Sequence, residues 1–385
     1  MINTDFKLGI LGGGQLGKML ALAAGNWELP IWALDKDRTF PAGAHVAHFV
    51  EGDFNNYDDV LAFGRQCDAL TIEIEHVNVE ALKQLKNEGI PVHPDPDALE
   101  IIKDKGRQKR FYQQYDLPTS DVHYFDEAED IVAAVKAQVI ALPFVQKARS
   151  GGYDGKGVQI IRTEADLANL FPTDSIVEPL VDIEKELAVV VARNPSGEIV
   201  AFPCVEMVFH PTANLVELLV CPADISQQVA EEAEQIARRT IEAFGVCGLL
   251  AVELFLTKTG DVLINEVAPR PHNSGHHTIE SCETSQFEQH LRGVLDLPLG
   301  STQLRRPAAM VNLLGADGHT GTAQYEGMRA ALNIPGAHLH LYGKALTKPF
   351  RKMGHATTLA DDRATAERRA RTVRDTLRIT ARTGD

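Results

Sequence analysis

The most informative stretch of this 385-residue sequence is a glycine-rich segment flanked by cations, Lys147-Ala148-Arg149-Ser150-Gly151-Gly152-Tyr153-Asp154-Gly155-Lys156-Gly157. Four glycines in its last seven positions predict a loop whose backbone N–H groups can wrap around a polyphosphate. Lys147 ends a predicted strand, where its ammonium can meet phosphate oxygens. The segment is not a Walker A loop, because Gly-Lys-Ser/Thr is absent. A plain flexible hairpin loop would explain the glycines but not the flanking lysines.

Two acidic residues interrupt strongly apolar predicted strands farther along the chain. Glu253 lies within Ala251–Phe255 and Glu266 within Leu263–Val267, and a short turn joins the strands. Two buried carboxylates close together repel each other unless a cation neutralises them, and hard oxygen ligands suit magnesium. Asn265, directly before Glu266, adds a neutral oxygen to the same predicted site. The alternative is that both acids point to solvent from edge strands.

The residues after Glu266 add an arginine and several histidines, in Ala268–His277. Arg270 is suited to stabilising charge on a transferring phosphoryl group. The pair His272 and His276 raises the possibility of zinc, but this Pro/Gly-rich stretch is no HExxH helix and indicates no third ligand. Hydrogen bonding to a substrate is the favoured interpretation.

A small basic cluster stands late in this acidic sequence, at Tyr342-Gly343-Lys344 and Phe350-Arg351-Lys352-Met353-Gly354-His355. Such a concentration of cations suits the phosphate group of a substrate. A solvated surface is the alternative.

A different glycine motif stands near the start of the chain. Gly12, Gly14 and Gly17 form GxGxxG between a predicted strand and helix, and Asp35 ends the next strand. This context is typical of a dinucleotide fingerprint and would favour a nicotinamide-dependent oxidoreductase. The same glycines also suit a tight turn, or an anion site at a helix N-terminus for a phosphorylated substrate.

Predicted strands and helices alternate in the first part of the chain, which indicates a parallel, doubly wound sheet. The strands are Lys7–Leu11, Ile31–Leu34 and Ala69–Ile74, and the helices are Gln15–Ala24, Tyr57–Arg65 and Asn78–Asn87. Later strands are Phe144–Lys147, Val158–Arg162, Leu187–Arg193, Leu249–Leu256, Asp261–Val267, Ala308–Leu314 and His338–Leu341, and later helices are Ala230–Phe244 and Arg363–Arg382. The proline-rich residues Pro91–Pro96 mark a boundary, and we expect domains over residues 1–103, 104–296 and 297–385.

Composition excludes several classes of protein. With 44% hydrophobic and 24% charged residues the chain is typical of a globular protein. A net charge of −15 argues against a nucleic-acid-binding surface. No apolar run approaches the roughly 18–20 residues of a membrane span, and Met1–Asp5 lack the features of a secretory signal. The five scattered cysteines show no CxxC spacing, so we expect no disulfides and a cytoplasmic location.

Taken together, these motifs resemble those of the N5-carboxyaminoimidazole ribonucleotide synthetases, which are ATP-grasp ligases of purine biosynthesis. The resemblance rests on Gly12–Gly17, Thr71–His76, Gly151–Gly157, Ile264–His276 and Arg351–His355, and it covers nearly the whole chain. It implies an α/β and α+β fold with a Rossmann-like preATP-grasp domain, an ATP-grasp domain and a small C-terminal domain. It also implies the carboxylation of 5-aminoimidazole ribonucleotide with ATP and bicarbonate, through carboxyphosphate, in a cytoplasmic homodimer.

The resemblance further implies roles for individual residues. Glu253 and Glu266 match ligands of Mg2+, with Mn2+ as an alternative ion. The positions that match ATP-binding residues are Lys105, Lys147, Gly152, Tyr153, Asp154, Gly155, Lys156, Gly157, Val158, Glu178, Pro179, Leu180, Val181, Glu186, Asn265 and Glu266. Those assigned to the ribonucleotide are Gly14, Gln15, Leu16, Glu73, Tyr153, Asp154, Arg270, His272, Asn273, Lys344 and Arg351. Of these, Glu73, Asp154, Arg270 and Lys344 are the expected catalytic residues.

Two departures and three alternatives accompany the resemblance. Lys105 stands where some family members carry arginine, and the register around His210 does not align clearly. A formate- or glycinamide-using ATP-grasp enzyme is the nearest alternative, and the late basic motifs argue against it. The others are the nicotinamide-dependent oxidoreductase and a nucleotide-binding regulatory protein with an inactive site. A regulatory protein would not need the paired carboxylates.

Overall fold

The computed structural model describes residues 3–151, 157–209 and 215–382. The N-terminal part forms a parallel four-stranded sheet in the order β3-β2-β1-β4, which confirms the predicted parallel arrangement. Its elements are β1 (Leu8–Leu11), α1 (Gln15–Ala24), β2 (Ile31–Asp35), β3 (His48–Glu51), α2 (Tyr57–Gly64), β4 (Ala69–Ile72) and α3 (Val79–Asn87). The side chains of Asn56 and Asn78 cap α2 and α3 by accepting backbone N–H bonds. Strand β3 was not predicted.

The central part begins with helices and then builds two sheets that face each other. Its first elements are α4 (Pro96–Ile102), α5 (Lys105–Gln114), β5 (His123–Phe125), α6 (Ala128–Lys136), β6 (Phe144–Ala148), β7 (Val158–Ile161) and β8 (Ser175–Pro179). The four strands form an antiparallel sheet in the order β5-β8-β6-β7. Helix α6 packs on it through Ile131, which is buried with Phe144 and Val177.

A nine-stranded sheet forms the second layer and extends into the C-terminal part. The remaining central elements are β9 (Ile183–Arg193), β10 (Ile199–Ala201), β11 (Val205–Phe209), β12 (Val216–Cys221), α7 (Gln227–Phe244), β13 (Gly248–Thr257), β14 (Val262–Ala268), α8 (Thr278–Ser281) and α9 (Gln286–Val294). Helix α7 begins three residues before its predicted start, because the Ser226 hydroxyl caps the Val229 amide. It buries Ile236, Ala237 and Ile241 in the main hydrophobic core with strands β9 and β13.

The C-terminal part adds strands to that same sheet. Its elements are β15 (Ala308–Leu314), β16 (Gly321–Glu326), α10 (Met328–Leu332), β17 (Ala337–Leu341), β18 (Leu346–Thr347), β19 (Lys352–Leu359), α11 (Arg363–Thr376) and β20 (Arg378–Ala381). The order of the large sheet is β14-β13-β9-β11-β12-β15-β19-β17, with β10 paired to β9. Strands β18, β16 and β20 form a separate small sheet. In the described ranges, no helix combines the length and apolar character needed to cross a membrane.

The predicted helix over Arg363–Arg382 is wrong beyond Thr376. Leu377 takes an extended conformation, and β20 then pairs with β16. Ile379 and Thr380 are buried, and these β-branched residues gain more from packing in a sheet than from a longer exposed helix. Three arginines of α11 form ion pairs: Arg363 with Asp224, Arg371 with Glu367, and Arg374 with Glu217.

Helix α1 offers a matched test of how the N-terminal part is held. Leu20 is fully buried in a core that also contains Phe287 and Leu291 of α9, whereas Leu22 on the same helix is 51% exposed. Leu20→Ala should lower the free energy of unfolding by about 2–5 kcal/mol, because it leaves a cavity. Leu22→Ala should change it by no more than about 0.5 kcal/mol. Urea denaturation of both variants checks this, and equal losses would contradict it.

Candidate active site

Two lysines reach the edge strand β14 of the large sheet. One comes from helix α5 and the other from β6 in the antiparallel four-stranded sheet. The Lys105 ammonium at the start of α5 lies 2.5 Å from Glu266 Oε2 on β14. The Lys147 ammonium on β6 donates a hydrogen bond of 3.0 Å to Asn265 Oδ1 on the same strand. Four of the predicted ATP-site residues therefore meet between the two sheets.

The two predicted metal ligands are cross-strand partners. Glu253 on β13 stands opposite Glu266 on β14, so their carboxylates lie on the same face of the sheet. Strand β14 is the edge of the sheet, as the solvent-facing alternative required, but β13 lies between β14 and β9. Only the Glu266 side chain is substantially exposed, at 44% against 15% for Glu253. The alternative in which both acids sit on edge strands is therefore wrong.

The pKa values of these two carboxyls move in opposite directions. Burial and the nearby charges of Glu266 and Glu186 raise the pKa of Glu253 to about 8. Burial also acts to raise the pKa of Glu266, but Lys105, Lys147 and His272 together outweigh it and the net shift is downward. Glu186 lies nearby on β9, and burial raises its pKa to about 7. The site therefore concentrates carboxyl groups that need cations in order to ionise together.

A third lysine that the sequence analysis missed stands behind Lys147. Lys109 and Lys147 both bind the carboxylate of Glu178, each with an N–O distance of 3.1 Å. Lys109 and Glu178 are almost completely buried. Lys109 follows Lys105 by four residues and so lies on the same face of α5, which is the signal that could have found it. Glu178 and the next three residues, Pro179, Leu180 and Val181, are the segment predicted to contact adenine. They lie at the end of β8 and in the connection to β9.

Arg270, His272 and Asn273 follow β14, and each contacts a different part of the chain. Arg270 Nε is 2.9 Å from Glu75 Oε1, and His272 Nε2 is 3.5 Å from Glu253 Oε1. The side chain of Asn273 exchanges hydrogen bonds with that of Asn312 on β15. The segment therefore links the paired carboxylates to the N-terminal and C-terminal parts.

His276 points elsewhere. Its ring is buried, its Nδ1 lies 2.9 Å from Gln286 Nε2, and it packs against the ring of His355 at a centroid distance of 4.6 Å. Burial lowers its pKa well below the usual range. Within the described ranges, no three His, Cys, Asp or Glu side chains are grouped to hold a metal ion.

Two carboxylates accept hydrogen bonds from the backbone amides of the glycine motif near the start of the chain. Glu73 accepts hydrogen bonds from the backbone N–H groups of Gly14 and Gly17, the second at 2.5 Å. The Asp35 carboxylate accepts from Gly13 N–H at 2.7 Å. A side chain on Gly12 or Gly14 would collide with Glu73, which explains these two glycines. Burial raises the pKa of Glu73 despite these bonds and the nearby charge of Arg270.

This arrangement differs from the one that a dinucleotide needs. The amides that would bind the pyrophosphate are bound to Glu73, and Asp35 faces the glycine turn and the Lys36 amide. The predicted ribonucleotide contacts Gln15 and Leu16 form the first turn of α1, next to Glu73.

The two late cations are anchored on one connection of the C-terminal part. Lys344 Nζ donates to the Lys352 carbonyl at 2.8 Å, and Arg351 Nη1 donates to the Leu346 carbonyl at 2.6 Å. Lys18 of α1 donates to the Leu341 carbonyl at 2.9 Å, so this connection lies against the N-terminal part. The start of this connection, directly before Lys344, therefore lies beside helix α1, whose N-terminal amides bind Glu73.

Several predicted site residues lie outside the described residues: Gly152, Tyr153, Asp154, Gly155 and Lys156. His210, which was assigned no role, also lies outside them. On the far side of that gap, the Gly157 carbonyl accepts from the Ala148 amide at 2.8 Å, and Val158 pairs with Lys147. Gly157 has a φ of +77°, which glycine adopts without strain.

Three family models match consecutive parts of the chain. They are a ribonucleotide synthetase preATP-grasp domain over residues 6–103, an ATP-grasp domain over 110–287, and a phosphoribosylaminoimidazole carboxylase C-terminal domain over 308–369. With the lysines and carboxylates between two facing sheets, they define the protein as an ATP-grasp ligase. The fold class expected from the sequence is confirmed.

Similar proteins narrow this class to one family. A structure of N5-carboxyaminoimidazole ribonucleotide synthetase from Thermotoga maritima is 42% identical, with a TM-score of 0.90 over 98% of this chain and 100% of that one. An Aspergillus clavatus N5-carboxyaminoimidazole synthase, in complex with ADP and 5-aminoimidazole ribonucleotide, is 32% identical, with a TM-score of 0.89 over 97% of this chain and 99% of that one. The chain belongs to the N5-carboxyaminoimidazole ribonucleotide synthetase family, as the resemblance implied.

Longer relatives contain this family as one part. The chloroplastic phosphoribosylaminoimidazole carboxylase of Vigna aconitifolia is 37% identical over 372 residues, which is 94% of this chain. The chain spans 66% of the length of that relative.

Proposed function

We propose that this protein carboxylates 5-aminoimidazole ribonucleotide with ATP and bicarbonate, giving N5-carboxyaminoimidazole ribonucleotide, ADP and phosphate in purine biosynthesis. The observation that carries the proposal is the meeting of Lys105, Lys147, Glu253 and Glu266, with His272 beside Glu253. It is supported by the match to the Aspergillus clavatus structure with ADP and the ribonucleotide. Domain boundaries at residues 103 and 296, a homodimer and a cytoplasmic location belong to the same proposal. The five buried free cysteines support the location.

The reaction needs one phosphoryl transfer and one carboxyl transfer. A bicarbonate oxygen attacks the γ-phosphorus of ATP, and the bond to the β,γ-bridging oxygen breaks to release ADP. The resulting carboxyphosphate gives its carboxyl group to the exocyclic amine of the ribonucleotide, and phosphate leaves. Such chemistry depends mainly on positioning and on cations around the transferring group.

The described residues divide between these tasks. We propose that Lys105 and Lys147 bind the ATP phosphates, that Arg270 stabilises the negative charge of the transferring group, and that His272 hydrogen-bonds to the ribonucleotide. Glu73 and Asp154 are assigned to the aminoimidazole end, where the raised pKa of Glu73 suits a carboxyl group that exchanges a proton with an amine. Lys344 and Arg351 are assigned to the 5′-phosphate.

Magnesium fits the paired carboxylates. Glu253 and Glu266 are direct cross-strand partners, their mutual repulsion contributes to the raised pKa of Glu253, and carboxylate oxygens are preferred ligands of hard cations. We propose these two residues as its ligands, with Mn2+ as an alternative ion. When bound, the ion would supply positive charge to the phosphate oxygens.

The function itself is tested by the release of ADP. Purified protein should release ADP with ATP and magnesium at a rate that depends on both bicarbonate and 5-aminoimidazole ribonucleotide. A coupled ADP assay with each substrate omitted in turn measures this. Stimulation by formate or by glycinamide ribonucleotide instead would contradict the proposal and indicate a related ATP-grasp ligase.

The metal assignment is tested at Glu266. Glu266→Gln should abolish turnover and weaken ATP binding in magnesium by a factor on the order of ten or more, because an amide supplies only a dipole. Without magnesium, ATP binding should be unchanged or tighter. Calorimetric titrations with and without the ion measure the difference, and Glu184→Gln, at an exposed position of β9, is the control. Full activity of Glu266→Gln at saturating magnesium would refute the assignment.

The phosphate assignment is tested at the late cations. Lys344→Ala or Arg351→Ala should raise the KM for the ribonucleotide by about tenfold with a smaller effect on kcat, because each removes a charge-assisted contact. Arg368→Ala, which removes an exposed positive charge from α11, should leave that KM unchanged. Steady-state kinetics at fixed ionic strength measures all three variants. A wild-type KM in Arg351→Ala would mean that Arg351 does not bind the phosphate.

A further inference from the structure

Lys109 is a buried cation in the wall of the proposed nucleotide site. Its ammonium donates to Thr119 Oγ1 at 2.6 Å and to Ser120 Oγ at 2.9 Å, and it lies 3.1 Å from Glu178 Oε2. Its side chain is only 3% exposed. The ammonium therefore has three oxygen partners and almost no access to solvent.

The two carboxylate oxygens of Glu178 bind two different lysines. Its Oε2 binds Lys109 and accepts a hydrogen bond from Ser120 at 2.5 Å, while its Oε1 faces Lys147. Lys147 is the more exposed of the two, at 10%, and also contacts Asn265 beside the proposed metal ligand Glu266. One carboxylate thus balances two ammonium groups, which leaves a net charge of one positive unit in this cluster.

We propose that Lys109 is a positioning residue that keeps the charge of Lys147 available to ATP. Lys109 neutralises Glu178 from the closed side of the site, so Lys147 is not held in a one-to-one ion pair. Without Lys109, the Glu178–Lys147 pair would carry no net charge, and a phosphate would compete with a buried carboxylate for the same ammonium. This inference rests on the proposed function in assigning Lys147 to ATP.

Lys109 also fixes the segment that supports β14. Its partner Thr119 donates from Oγ1 to the Ile264 carbonyl at 2.9 Å, and the Ile264 amide donates to the Pro118 carbonyl at 2.8 Å. Asn265 and Glu266 follow directly. The Lys109 ammonium therefore acts on Lys147 in two ways. It shares the Glu178 carboxylate with Lys147, and it supports the backbone that carries Asn265, the other partner of Lys147.

The ionisation of Lys109 provides a second readout. Burial lowers its pKa to about 8, Lys147 and Lys105 contribute in the same direction, and Glu178 opposes them. The protonated form is present below this pKa and is lost as the pH rises through it. In the wild type, the affinity for ATP should therefore fall as the pH rises through about 8.

The test compares three variants by direct titration with ATP and magnesium. Lys109→Met, which keeps most of the apolar stem of the side chain but removes the ammonium, should weaken ATP binding about tenfold, as expected for losing one charge-assisted interaction. The double variant Lys109→Met/Glu178→Gln should recover most of that loss, because removing the carboxylate restores the net charge. Arg110→Met, at an exposed position of α5, should bind like the wild type.

Kinetics and pH separate positioning from general damage. Lys109→Met should raise the KM for ATP with little change in the KM for the ribonucleotide, and its ATP affinity should not fall further as the pH rises through about 8. Wild-type ATP affinity in Lys109→Met, or a double variant no better than the single one, would overturn the inference. If Lys109→Met does not fold, a wild-type affinity that is constant from pH 7 to 9 would overturn it instead.

The same titrations distinguish this inference from the proposed function. A wild-type protein that does not bind ATP would overturn both. ATP binding with the expected loss in Lys109→Met, but no ADP release that depends on bicarbonate, would overturn the function and leave the role of Lys109 supported.

Discussion

The ion pair between Lys105 and Glu266 is the contact on which the active site depends. It joins the first residue of α5 to the edge strand of the large sheet, and Lys147 joins β6 to the same strand through Asn265. The neighbouring carboxylates of Glu253 and Glu266 would raise each other's pKa values and stay partly protonated without nearby cations. In a chain with a net charge of −15, three lysines are therefore concentrated where Glu178, Glu253 and Glu266 meet. The lysines that hold the site together are also the groups suited to bind phosphates.

The residues that we propose as substrate contacts come from three parts of the chain, and specific contacts hold those parts together. Arg270 reaches the N-terminal part through Glu75, and Lys18 reaches the C-terminal part through the Leu341 carbonyl. The buried Tyr342 belongs to the same hydrophobic core as Leu8 and Leu20. The C-terminal strands β15, β19 and β17 extend the large sheet. A site assembled in this way depends on the relative positions of all three parts, which helps to explain why the motifs are spread over most of the chain.

Local signals predicted the elements well where the pattern of apolar side chains is clear. Helix α1 has its predicted bounds, whereas β3 went unpredicted because only one of its four residues is buried. The motif at residues 147–157 indicated a polyphosphate-binding loop and the paired acids a magnesium site. The resemblance to a known family then implied that both belong to an ATP-grasp enzyme. The partners of these residues could not be predicted, because Glu178, Asn265 and Lys109 come together only through the packing of two sheets. Lys109 shows the limit: its spacing from Lys105 was visible, but nothing in the sequence showed that it would be buried against a carboxylate.

The glycine motif at Gly12–Gly17 shows why a motif alone does not identify a ligand. Its strand–turn–helix context is the one expected for a dinucleotide fingerprint, and the helix N-terminus does attract negative charge. Here that charge is supplied by the protein, because the Glu73 carboxylate binds the amides of Gly14 and Gly17. The glycines are needed because the Glu73 side chain approaches the backbone so closely. The same physical preference for an anion thus places an acidic side chain near the charge of Arg270, in the position that we propose for the ribonucleotide amine.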